Sequence, residues 1–126
     1  MTLSRQHLGR VGEARAAMFL TSRSFTIIEQ NYRTSFGEID IIARKDDLLV
    51  FCEVRTRRLG LTVAVETIGE SINSGKRDRL VRLAEFYLHN HPSLEGCACR
   101  FDVILVARQL GRWRLYWLED AFRPGW

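Results

Sequence analysis

Apolar residues recur at Leu8, Val11, Ala14 and Met18, and spacings of three and four mark one stripe of a helix from Leu8 to Leu20. The period then changes. Phe25 to Arg33 is rich in isoleucine, threonine and aromatic residues, and Glu38 to Ala43 and Leu48 to Thr56 keep that character on either side of the polar turn Arg44-Lys45-Asp46-Asp47. Three consecutive strands are expected. A glycine- and serine-containing stretch, Leu59 to Gly75, leads to a second helix with Lys76, Leu80, Leu83, Ala84, Tyr87 and Leu88 along one side and Ser74 as its expected cap. Pro92 and Gly96 break the chain again. Phe101 to Ala107 is a short apolar run suited to a buried strand, and Arg112 to Leu118 alternates like an edge strand. The predicted order is αβββαββ, a single α/β domain over residues 1–126 with every strand in one sheet.

Composition agrees with one folded core. The chain has 126 residues, 46% hydrophobic and 27% charged, and a globule of this length buries roughly two-thirds of its unfolded surface. No apolar run approaches the roughly 18 residues of a membrane span, and the first twenty residues lack the apolar core of a signal peptide, so the cytoplasm is the expected location. Three cysteines, Cys52, Cys97 and Cys99, form no disulfide framework. The net charge of +4 is modest, but 17 of the 19 basic residues are arginine, whose planar fork suits phosphate. A phosphate-rich partner is favoured.

Chemistry enters with the acids of the central strands. If Arg44 to Asp47 closes the hairpin, Ala43 pairs with Leu48, Glu38 falls opposite Glu53, and Asp40 lies diagonal to Glu53 at a Cα separation of about 7–8 Å. Period-two alternation puts Glu38, Asp40, Glu53 and Arg55 on one face. Opposed like charges on a sheet are unfavourable unless a hard cation is held between them, so Asp40, Glu53 and Glu38 are the expected ligands of Mg2+ or Mn2+. Such a site supports phosphodiester hydrolysis, with Arg55 as the neighbouring cation. The plainer alternative is a solvated hairpin face whose acids pair with arginines.

Three runs, Asn31-Tyr32-Arg33, Gly37-Glu38-Ile39-Asp40-Ile41-Ile42-Ala43 and Phe51-Cys52-Glu53-Val54-Arg55-Thr56-Arg57, resemble the YraN-like family of uncharacterised proteins. The resemblance extends from Gly9 through Arg100-Phe101-Asp102-Val103. That family is similar to restriction-endonuclease-like folds and archaeal Holliday junction resolvases, which implies a mixed sheet flanked by helices. It also implies a site of two acids, matched here by Asp40 and Glu53, and a glutamate on the first helix, matched by Glu13. A lysine two residues after the second acid completes that pattern, and here the position is Arg55, which holds phosphate but does not readily give up a proton. Lys76, or failing that Lys45, would have to supply a lysine from elsewhere in the fold.

Arg55, Arg57 and Arg58 leaving the acidic strand, with Lys76 and Arg77 opening the second helix, are the candidate nucleic-acid contacts. Trp113, Trp117 and Trp126 could stack on bases, but the alternation of Trp113 and Trp117 with Leu115 favours packing. His89, His91, Cys97 and Cys99 offer zinc-type ligands at unusual spacing. The function expected is nucleic-acid binding, DNA first, with divalent-metal nuclease activity on branched or structured substrates. A non-catalytic DNA- or RNA-binding or protein-interaction module on the same fold is the alternative. A homodimer is expected by analogy with resolvases meeting symmetric junctions.

Overall fold

A computed structural model describes residues 4–59 and 72–124. Their elements are α1 (Arg5–Ser22), β1 (Thr26–Thr34), β2 (Gly37–Lys45), β3 (Leu48–Leu59), α2 (Ser74–His89), a 3-10 turn (Pro92–Leu94), β4 (Ala98–Gln109) and β5 (Arg112–Phe122). This is the αβββαββ order that the hydrophobic pattern predicts. Most of the stretch between Leu59 and Gly75, and Trp126, lie outside the described residues.

The strands form one sheet in the order β1-β2-β3-β4-β5. β3 and β4 run parallel, across the connection that carries α2, and the other neighbours are antiparallel. β5 is an edge strand, as its alternation suggests.

A mixed sheet with a helix over each face needs two cores. On one side Ala16 and Leu20 of α1 pack with Ile41, Ala43, Val50, Cys52, Val54, Ile104 and Val106. Across the sheet, Leu80, Leu83, Ala84 and Tyr87 of α2 pack on Ile39, Ile42, Leu49, Phe51, Phe101 and Val103. Central strands buried on both faces read as the continuous apolar runs seen in the sequence.

The α1 stripe differs from the expected one. Its buried residues are Leu8, Gly12, Ala16 and Leu20, and Met18 is 72% exposed. The cause is Gly12, where a Cβ would collide with the Thr56 side chain. Counting only large apolar residues overlooks a contact made by the absence of a side chain. The α2 cap also moves by one residue, because the Asn73 side chain accepts the Lys76 N–H at 2.9 Å, so Ser74 begins the helix.

Hairpin register is corrected too. Lys45 pairs with Leu48 and Ala43 with Val50, so only Asp46 and Asp47 form the loop, and Asp46 takes a left-handed φ of 54°, which aspartate tolerates. The shift of two residues relative to the expected pairing carries Glu38 away from Glu53 and brings Asp40 level with it.

Candidate functional site

The acids gather where β2 and β3 part. Their ladder ends at Ile41 opposite Cys52, and just beyond it Asp40 Oδ2 accepts the backbone N–H of Val54 at 2.8 Å. Strand alternation slips at this point, because Ile39 belongs to the α2-side core while Ile41 and Ala43 both belong to the α1 side. Asp40 is therefore turned toward α1. There Glu13, Glu38 and Asp40 each bring one carboxylate oxygen to within 4.8 Å of the others.

The expectation that Glu38, Asp40, Glu53 and Arg55 share one face does not survive the slip. Cys52 and Val54 face the α1-side core, so period two sends Glu53 and Arg55 toward the α2 layer. Glu53 stands outside the group of three and is nearly enclosed, with 7% of its side chain exposed. Two cations hold it: Lys76 Nζ lies 2.6 Å and Arg55 Nε 3.5 Å from the same Oε1. Lys76 is fixed at the first turn of α2 by the Asn73 cap. Lys45, the other candidate lysine, instead lies over the Phe25 ring at 5.7 Å.

Crowding and burial of the acids show in their titration. Burial, then the Glu53 charge, with lesser contributions from Glu13 and Glu38, push the Asp40 carboxyl up to about 8 against the pull of the Val54 N–H. Glu13 is raised as well, chiefly by burial. Asn31 relieves part of this repulsion. With its amide nitrogen turned to the acids, it donates to Glu38 Oε1 at 2.9 Å and Glu13 Oε2 at 3.2 Å, while Arg33 Nε binds Glu38 Oε2 at 2.8 Å. Neither Asn31 nor Arg33 is singled out by chemistry in the sequence. The available signal is an asparagine inside a strand pattern, since Asn31 takes a φ of 53° that β-branched residues avoid.

Of the other basic candidates, Arg57 and Arg58 are exposed where β3 leaves the site. Together with Arg5, Leu8 and Thr56 they line a cleft of about 530 Å³. Arg77 points elsewhere, donating to Ile72 O at 3.0 Å and covering the Phe122 ring at 5.6 Å. Trp117 packs edge-on against Phe19 and donates to the buried Asp102 at 2.9 Å. Trp113 packs against the α1-side core, with Arg15 and Arg108 over its ring at 4.9 and 5.2 Å. Both tryptophans serve packing. The His89, His91, Cys97 and Cys99 set does not converge: among the described residues the one group of three such ligands within sharing distance is Glu13, Glu38 and Asp40. His91 stacks on Tyr87 instead.

Three hard oxygen donors suit magnesium or manganese, which prefer carboxylates. One oxygen from each of the three lies within 4.8 Å of the others, near enough for the side chains to close on one ion. The donor types therefore fit such an ion, which Glu13, Glu38 and Asp40 would hold.

Fold and cleft together define a single-domain mixed α/β protein with an acidic cluster and adjoining cations at the parting of two central strands. Residues 12–106 match the uncharacterised protein family UPF0102, and the chain belongs to that family. It is 45% identical over 114 residues to a UPF0102 protein of Azorhizobium caulinodans, covering 90% of this chain and 81% of that one. A UPF0102 protein of Moorella thermoacetica is 45% identical over 109 residues, 84% of this chain and 85% of the relative. One from Magnetococcus marinus is 35% identical over 124 residues, 98% of each. Among the described residues no helix is long and apolar enough to cross a membrane.

Proposed function

We propose that this protein binds nucleic acid and acts as a divalent-metal-dependent nuclease on structured or branched DNA. The observation that carries the reading is the convergence of Glu13 from α1 with Glu38 and Asp40 from β2 within 4.8 Å, in a structure where Glu53 is already paired with two cations. Repulsion among such groups is costly unless the site is built to receive positive charge. A bound Mg2+ or Mn2+ would activate water and neutralise charge on the phosphate. Glu13, Glu38 and Asp40 would hold it, Arg55 would clamp a phosphate oxygen, and Arg57 and Arg58 would follow the backbone away from the site.

A second reading, a non-catalytic binding module, draws on Arg55, which replaces a titratable lysine with a permanent cation. One assay separates the two. Linear, flapped and four-way DNA are incubated with Mg2+ or Mn2+ and wild type, Asp40→Asn or Glu53→Gln. Cutting that both variants lose supports the nuclease, whereas equal binding without cutting by any of the three leaves the module. Absence of binding even at low salt removes both.

A further inference from the structure

We propose that Lys76, delivered by the first turn of α2, is a second cation of this site that contacts the phosphate to be cleaved. The proposal rests on the nuclease reading above and adds a residue that no strand motif supplies.

Geometry separates Lys76 from its neighbour Arg55. Both reach the same oxygen of Glu53, but Lys76 does so at 2.6 Å with 32% of its side chain exposed, whereas Arg55 stands at 3.5 Å with 19% exposed. The Lys76 side chain is thus partly open to solvent while its ammonium meets a buried carboxylate. The ammonium carries three N–H donors, and among the described residues Glu53 engages one of them. The other two are then there for an incoming oxyanion.

Position on the helix reinforces this. The Lys76 backbone N–H is tied to Asn73 Oδ1 at 2.9 Å, so the residue belongs to a capped N-terminal turn, where the helix dipole favours an anion. A compact, rotatable charge can also follow an oxygen as charge builds on it, which the planar guanidinium of Arg55 does less readily. Glu53 then acts as the positioning residue for both cations.

The test reads binding and cleavage separately. Wild type, Lys76→Met and Lys76→Gln are compared on a four-way DNA junction, the glutamine variant keeping a donor for Glu53 so that a folding defect in the other does not decide the matter. Junction affinity is measured in Ca2+ over a range of salt, and cleavage in Mg2+ or Mn2+. Loss of a phosphate contact is expected to lower the salt slope of binding by about one in both variants and to slow cleavage roughly 100- to 1000-fold. Adding Arg55→Lys to Lys76→Met should return much of that rate by restoring a lysine beside Glu53.

An unchanged slope with cleavage within about threefold of wild type overturns the proposal. A rate loss with unchanged slope that Arg55→Lys does not restore overturns it too, reducing Lys76 to a support for Glu53. If wild type binds the junction but cuts nothing, the nuclease reading fails while the salt slope still decides the phosphate contact. Should nothing bind at low salt, both fall.

Discussion

Asp40 is the residue at which sequence, fold and chemistry meet. Its carboxyl is pushed up to about 8, so over most of the range from about pH 4 to 8 the folded protein keeps a proton that the unfolded chain has released. The stability linked to this group is complete below about pH 4 and is lost as pH rises through about 8. Glu13, raised in the same direction, adds to the effect. Thermal unfolding without metal should show a midpoint falling across this range, and Asp40→Asn should flatten the curve, melting above wild type at pH 8 and close to it at pH 4. The asparagine keeps an oxygen for the Val54 N–H, so a lower midpoint at pH 8 would mean that Asp40 is ionised in the fold. The candidacy of Asp40, Glu53 and Glu13 was legible from residue types and their resemblance to a known motif. Asn31 was not, because its contribution depends on a left-handed backbone and on two carboxylates brought to it by other elements.

At the scale of elements, periodicity locates the two α-helices and five strands of the described residues, but close approach and pairing geometry escape it. Gly12 lets α1 settle onto Thr56, which brings the neighbouring Glu13 within reach of Glu38 and Asp40. Gly12→Ala should cost roughly 1–3 kcal/mol through overpacking, read by urea unfolding, and should weaken divalent-metal binding by displacing Glu13. Leu83→Ala on the opposite face removes a fully buried side chain and should cost about 2–5 kcal/mol. It should leave metal affinity nearly unchanged, because the Glu13, Glu38 and Asp40 group lies toward α1. The hairpin register was misjudged because a four-residue polar run reads as a four-residue loop, whereas Asp46 can take the backbone of a tighter turn. A two-residue shift preserves the face of every side chain, so it leaves Asp40 near Glu53, whose charge acts on it most strongly. The slip between Ile39 and Ile41 carries no such protection, and it turns Asp40 toward α1 while Glu53 faces the α2 layer.

Over the whole molecule, charge is arranged rather than merely abundant. A net +4 says little, but the exposed Arg57 and Arg58 continue from the strand that carries Glu53, which under the proposed function would offer a phosphate backbone a path past the acids. Arg57→Ala combined with Arg58→Ala should weaken DNA binding across substrates and lower the salt slope by about two. Arg77→Ala should have little effect on the slope, since that side chain is turned to Phe122 and Ile72. Calorimetric titration of the protein with Mn2+ at pH 8 tests the metal site most directly. Wild type should bind Mn2+ and release protons, seen as heats that vary with buffer, while Asp40→Asn and Glu13→Gln should each weaken binding by roughly tenfold or more. Absence of binding by wild type at millimolar Mn2+, or equal affinity in all three proteins, would contradict the metal site on which the account stands.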